Sequence, residues 1–193
     1  MGGVPRVLIL GHSFVKRIQR DLNARFHPKA YSHFQFLGTA EIHLHGIGGR
    51  KVATLQAHDL HVVRNLRPEI VILEIGTNDL SFTSPEVVGS SIEELVRLLQ
   101  RSYSVAVVMV CQVIPRGAVL PNFSRFFNNA KVLHQYLNIV LDAIPGVFCW
   151  KHRAFSSPYK DLYTRDGVHL NPKGQYFLYR SYRGAILQAL SYL

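Results

Sequence analysis

Short continuous apolar runs alternate along this chain with longer stretches in which apolar residues return at helical spacing. Val7 to Leu10, Ile70 to Ile75 and Val105 to Cys111 are almost unbroken runs, as expected of strands covered on both faces. Glu41 to His45 alternates Ile42 and Leu44 with polar residues, and Val147 to Trp150 is a short fifth run. Between them the helical period predicts helices at about Val15 to Ala24, Lys51 to Asn65, Pro85 to Arg101, Ser124 to Ala143 and Pro172 to Ser191. The alternation predicts an α/β fold, a three-layer sandwich in which a parallel five-stranded sheet carries helices on both faces.

Local chemistry sharpens the borders. Ser84 before Pro85 and Asn171 before Pro172 each place a capping residue ahead of a proline at the first helical position. Pro68 and the pair Pro145-Gly146 stop helices ahead of the third and fifth strands. Two longer loops, Ile114 to Asn122 and Phe155 to Arg165, fall at the edge where such sheets bind ligands.

At 193 residues and 48% hydrophobic, the chain is the size of one domain, 1–193, with a substantial core. No apolar stretch approaches the roughly 20 residues that span a bilayer, and the amino terminus lacks a signal-peptide pattern. Met-Gly-Gly has no serine or threonine where a myristoylation signal needs one. Two cysteines, Cys111 and Cys149, both in or at the end of apolar runs, read as reduced buried thiols, so an intracellular, cytoplasmic protein is expected. A formal charge of +10 points toward anionic partners such as nucleic acid or acidic phospholipid. The basic residues are scattered, however: Lys16, Arg17, Arg20 and Arg25; Arg50 and Lys51; Arg180 and Arg183. Solvated helix faces account for such clusters, and no aromatic-interleaved basic motif is present.

Four segments carry the candidate chemistry: Gly11-His12-Ser13 after the first strand, Gly46-Ile47-Gly48-Gly49 after the second, Gly76-Thr77-Asn78-Asp79 after the third, and Asp166-Gly167-Val168-His169 before the last helix. Acyl transfer needs a nucleophile, a base with an orienting acid, and donors for the developing oxyanion. Ser13 supplies the nucleophile, His169 the base and Asp166 its orienting carboxylate. The backbone amides of Ser13 and of Gly49 or Gly48, with the side-chain amide of Asn78, supply the oxyanion donors. Glycine admits close approach of backbone to substrate there. Asp79 is expected to brace its loop.

On these four blocks the chain resembles the SGNH or GDSL-type hydrolases, a group of esterases, lipases and acetylhydrolases with a flavodoxin-like sheet. The resemblance runs from Val7 to about Leu170. It implies a cofactor-independent serine esterase acting on short-acyl or acetyl esters, phospholipid esters among them, through an acyl-Ser13 intermediate. Activity should then rise with pH through a histidine-like limb near about 6 to 7. Two positions depart from the family pattern. His12 stands where the family's aspartate supports the turn, and Arg50 stands where acetylhydrolase-like relatives carry aspartate after the glycine pair. The basic balance and the run Arg165 to Asn171 also resemble the esterase domain in the first open reading frame of some vertebrate non-long-terminal-repeat retrotransposons. That resemblance implies a role beside a nucleic-acid-binding, self-associating protein, with neighbouring domains outside this chain.

Plainer readings stand beside these. Ser13 alone reads as the cap of a helix beginning at Phe14. His43, His45, His58 and His61 lack a cysteine or carboxylate to complete a tetrahedral set, so no metal is expected. Phe126, Ala130, Leu133, Leu137 and Val140 form a core stripe at helical spacing, which leaves Phe123 and Phe127 off it. Those two phenylalanines, with His12, are the candidate substrate-pocket residues, and the phenylalanines are also candidates for touching lipid or a membrane surface. Two rival functions remain: a basic module binding anionic lipid or RNA, and a carbohydrate-ester deacetylase.

Overall fold

A computed structural model describes residues 3–23, 33–117, 120–156 and 160–193. Five parallel strands form one sheet: β1 (Arg6–Gly11), β2 (Glu41–Gly46), β3 (Ile70–Glu74), β4 (Val107–Cys111) and β5 (Val147–Trp150), in the order β2-β1-β3-β4-β5. Among the described residues six α-helices accompany them: α1 (Ser13–Asn23), α2 (Val52–His58), α3 (Leu60–Leu66), α4 (Pro85–Tyr103), α5 (Phe123–Asp142) and α6 (Pro172–Leu190). The chain thus has the α/β three-layer architecture that its pattern predicts.

Strand alternation divides the core in two. Leu8, Leu10, Val71, Leu73, Val108 and Val110 face α2 to α5. Val7, Ile9, Ile70, Ile72, Val107 and Met109 face α1 and α6. Every residue of β3 is buried, which explains why its sequence is a solid run while edge strand β2 alternates. β4 starts two residues later than its apolar run, because Ser104 ends α4 in a left-handed conformation and Val105 and Ala106 complete the turn.

One expected helix is two. The stretch from Lys51 to Asn65 breaks at Asp59, whose buried carboxylate accepts a bidentate ion pair from Arg50 at 2.7 and 2.8 Å. The caps also differ from expectation. Asn171 does cap α6, its side chain accepting the Gly174 N–H at 2.9 Å, whereas Ser84 occupies the cap position of α4 without a side-chain bond. Ala24, the expected end of the first helix, lies outside the described residues.

Candidate active site

Register brings the first three blocks side by side. Gly11 ends β1 paired with Gly46 on one flank and Glu74 on the other, so the turns after β1, β2 and β3 leave the same sheet edge. Both glycines are forced by crowding: a Cβ on Gly11 would enter the Glu74 carbonyl, and one on Gly46 would enter the Lys16 backbone.

Ser13 is the first residue of α1 and half-buried. The cap of this helix is His12, not Ser13. The His12 carbonyl accepts the Lys16 N–H at 3.2 Å, and its Nδ1 accepts the Phe14 N–H at 3.4 Å. An acidic cap side chain does the same work, so histidine replaces aspartate here without loss of the turn. With Nδ1 accepting, the ring proton is on Nε2, 3.8 Å from Glu74 Oε1. His12 is only 1% exposed and both nitrogens face protein, which corrects its placement in a substrate pocket. Burial pushes its pKa below the ordinary histidine value, against the attraction of Glu74.

Sequence reasoning missed the cluster beneath this cap. Glu74 is wholly buried and accepts hydrogen bonds from His152 Nε2 at 2.9 Å and the Tyr182 hydroxyl at 3.0 Å. Burial alone raises this carboxyl; the opposing influence of His152, His12 and Tyr182 outweighs it and holds the group below its usual range. The thiol of Cys111 and the phenol of Tyr182 are pushed well up by burial and by this anion. Glu74, Cys111 and His152 are the one set of three potential metal ligands that converge among the described residues. The histidines at 43, 45, 58 and 61 do not converge as a set: His45 and His61 rings are 6.2 Å apart, and His61 Nδ1 bonds the His58 carbonyl.

The second and third turns are laced together. Asn78 Nδ2 donates to the Arg50 carbonyl at 2.9 Å, and Asp79 Oδ1 accepts the Val52 N–H at 3.1 Å, so Asp79 braces the start of α2. Arg50, in turn, is fixed by Asp59. The cation is therefore locally neutralised and serves as an anchor for the glycine turn. Gly49 has φ +75°, a conformation that favours glycine, and a Cβ at Gly48 or Gly49 would meet open space. Among the described residues the backbone N–H groups of Ser13, Gly48 and Gly49 have no partner outside helix or strand bonding, and Asn78 keeps its second amide proton.

The fourth block is a tight turn around one carboxylate. Asp166 Oδ1 accepts from Thr164 Oγ1 at 2.7 Å and from the Val168 and His169 N–H groups at 2.8 and 2.9 Å. Its Oδ2 accepts from His169 Nδ1 at 2.6 Å, which leaves Nε2 of that ring as an acceptor. Desolvation works to raise the Asp166 carboxyl, but these hydrogen bonds overcome it and drive the group far down. The turn docks on the loop after β4: Gly117 N–H donates to the Gly167 carbonyl at 2.7 Å, and the Tyr163 hydroxyl donates to the Pro115 carbonyl. Among the described residues no hydrogen bond joins Ser13 to His169. Phe123 and Phe127 stack at 5.5 Å near the start of α5, and they wall two different clefts.

The model of the GDSL-like lipase/acylhydrolase family matches residues 9–176. The platelet-activating factor acetylhydrolase IB subunit alpha2 of Rattus norvegicus is 30% identical, over 96% of this chain and 78% of that protein. Its Gallus gallus counterpart is 38% identical over 44% of this chain, which there spans only 35% of the relative's length. Among solved structures, a putative acylhydrolase from Bacteroides fragilis superposes with a TM-score of 0.71 at 19% identity, covering 96% of this chain and 88% of that one. A carbohydrate esterase family 3 structure from Talaromyces cellulolyticus gives 0.73 at 16%, covering 98% and 100%.

Proposed function

Because this chain belongs to the GDSL-like lipase/acylhydrolase family, whose chemistry is ester hydrolysis, we propose that it is a serine esterase in which Ser13, His169 and Asp166 form the catalytic set. The observation that carries the reading is the Asp166–His169 pair, a carboxylate fixed by four donors that holds the imidazole by Nδ1 and leaves its Nε2 to accept a proton. His169 Nε2 takes the Ser13 hydroxyl proton as Oγ bonds to the acyl carbon, and Asp166 stabilises the imidazolium that forms. The negative charge moves to the former carbonyl oxygen, met by the N–H groups of Ser13 and Gly49 and by the free amide proton of Asn78. His169 returns the proton to the departing alkoxide. Water then repeats the sequence on the acyl-serine, giving acid and free enzyme. Hydrogen bonds between nucleophile and base often close only with substrate in place, so the open Ser13–His169 pair is compatible with this scheme.

The substrate class is the ester of a short acyl group, acetyl first, a preference supported by likeness to proteins named as acetylhydrolases. Phe123 and Phe127 each wall a cleft of mixed polar and apolar lining, which supports a lipid ester as substrate. The deciding experiment compares wild type with Ser13→Ala on p-nitrophenyl acetate and a longer-chain ester at matched circular dichroism. The expected result is a loss of about 10³-fold or more in kcat for the variant. Equal background rates in the two proteins would overturn the esterase reading and leave a basic binding module.

A further inference from the structure

Arg116 lies between two of the site's loops and has no anion of its own. It follows β4, and Gly117 beside it is bonded to Gly167 in the Asp166–His169 turn at 2.7 Å. On its other side the Arg116 Nη2 donates to Ser81 Oγ at 2.6 Å, three residues beyond Asn78. The guanidinium sits 4.6 Å over the Phe126 ring. Its Nε is buried without a partner, and among the described residues no carboxylate pairs with it. Arg6, Arg50 and Arg97, by contrast, each hold a glutamate or aspartate, while Arg183 shares the unpartnered Nε but lies over Phe36, outside this cleft. Partial burial lowers the pKa of this guanidinium, and no carboxylate offsets that. It opens on a cleft of about 170 Å³ lined also by Arg125, Asn122, Asn129 and Phe123, with no acidic residue in its wall.

We propose that Arg116 is a specificity residue that binds an oxyanion, of phosphate type, carried on the alcohol half of the ester; this rests on the esterase reading above. The alcohol half is favoured because its oxygen must leave against His169, and the Gly117–Gly167 bond ties Arg116 to the loop that carries His169. Planar guanidinium and tetrahedral or trigonal oxyanion match by paired N–H donors, and the Nη hydrogens not given to Ser81 are available. The apolar wall at Phe123 and Phe126 removes water and strengthens the contact.

The test uses two acetyl esters with the same kind of leaving alcohol, acetylglycerol and acetylglycerol phosphate, on wild type, Arg116→Met and Arg116→Lys. The ratio of kcat/KM for the phosphate ester over the neutral one should fall about 10- to 100-fold in Arg116→Met, the range set by a charge-assisted hydrogen bond, and recover in part in Arg116→Lys. Inorganic phosphate should compete with the phosphate ester in wild type and not in Arg116→Met. A ratio unchanged by Arg116→Met overturns the proposal, and phosphate inhibition without any change in the ratio does so too, because it marks a site for free anion alone. Should wild type hydrolyse neither these esters nor p-nitrophenyl acetate, the esterase reading fails by itself. Calorimetric binding of acetylglycerol phosphate to Ser13→Ala, with Arg116 present or replaced by Met, then decides: a tenfold or greater loss of affinity keeps the anion site, and equal binding removes it.

Discussion

His12 joins three duties in one ring: it caps α1, it fills a fully buried space, and it presents a proton toward Glu74. His12→Ala removes the cap bond and should cost about 1 kcal/mol or more in urea unfolding. His12→Asn, which keeps an acceptor for the Phe14 N–H, should retain more of the stability. The pH dependence has a fixed sign. The folded state disfavours protonated His12, whereas the unfolded chain takes up that proton near the ordinary histidine value of 6.5. His134, lowered by burial to about 4, behaves alike. Stability should therefore be full above about pH 6.5 and decline as pH falls toward 4. Glu74, held below 4.5, adds a further loss at the acid end. Unfolding midpoints measured from pH 8 to 4 check this, and a flat profile for wild type would contradict it. The decline should be shallower in His12→Asn.

Among the elements, the tightest constraints are the contacts at the end of β1. Gly46→Ala should destabilise by about 3 kcal/mol or more, since the added methyl meets the α1 backbone, which cannot yield as a side chain does. Gly48→Ala, which faces open space, should unfold within about 0.5 to 1 kcal/mol of wild type. The strands were legible because burial on both faces leaves a continuous apolar signature, and the four blocks because each is a short local run, three at strand ends and the fourth just before α6. The break at Asp59 was not legible, since its partner Arg50 and the burial of its carboxylate are facts of tertiary packing. For the same reason His12 reads locally as a departure from pattern and structurally as a cap. Arg116 has no motif at all; only the meeting of the Ser81 and Gly167 loops reveals it.

For the molecule as a whole, charge and chemistry separate by salt. A net +10 predicts weak association with anionic vesicles or nucleic acid that falls steeply between about 50 and 200 mM salt. Turnover of a neutral ester should change little over the same range, because no net charge is brought to the site. Parallel cosedimentation and esterase measurements across that range distinguish a surface property from the function of the site. Among the described residues no helix is long and apolar enough to cross a membrane.

The proposed nucleophile stands on the first strand's turn, while its base sits on a loop pinned by the cap of the last helix. A ribosome therefore makes the serine long before the histidine. A nascent chain cut between them carries a nucleophile with nothing to activate it, and ester cleavage begins only when synthesis has passed α6. Onset of hydrolysis during translation would time the docking of that helix.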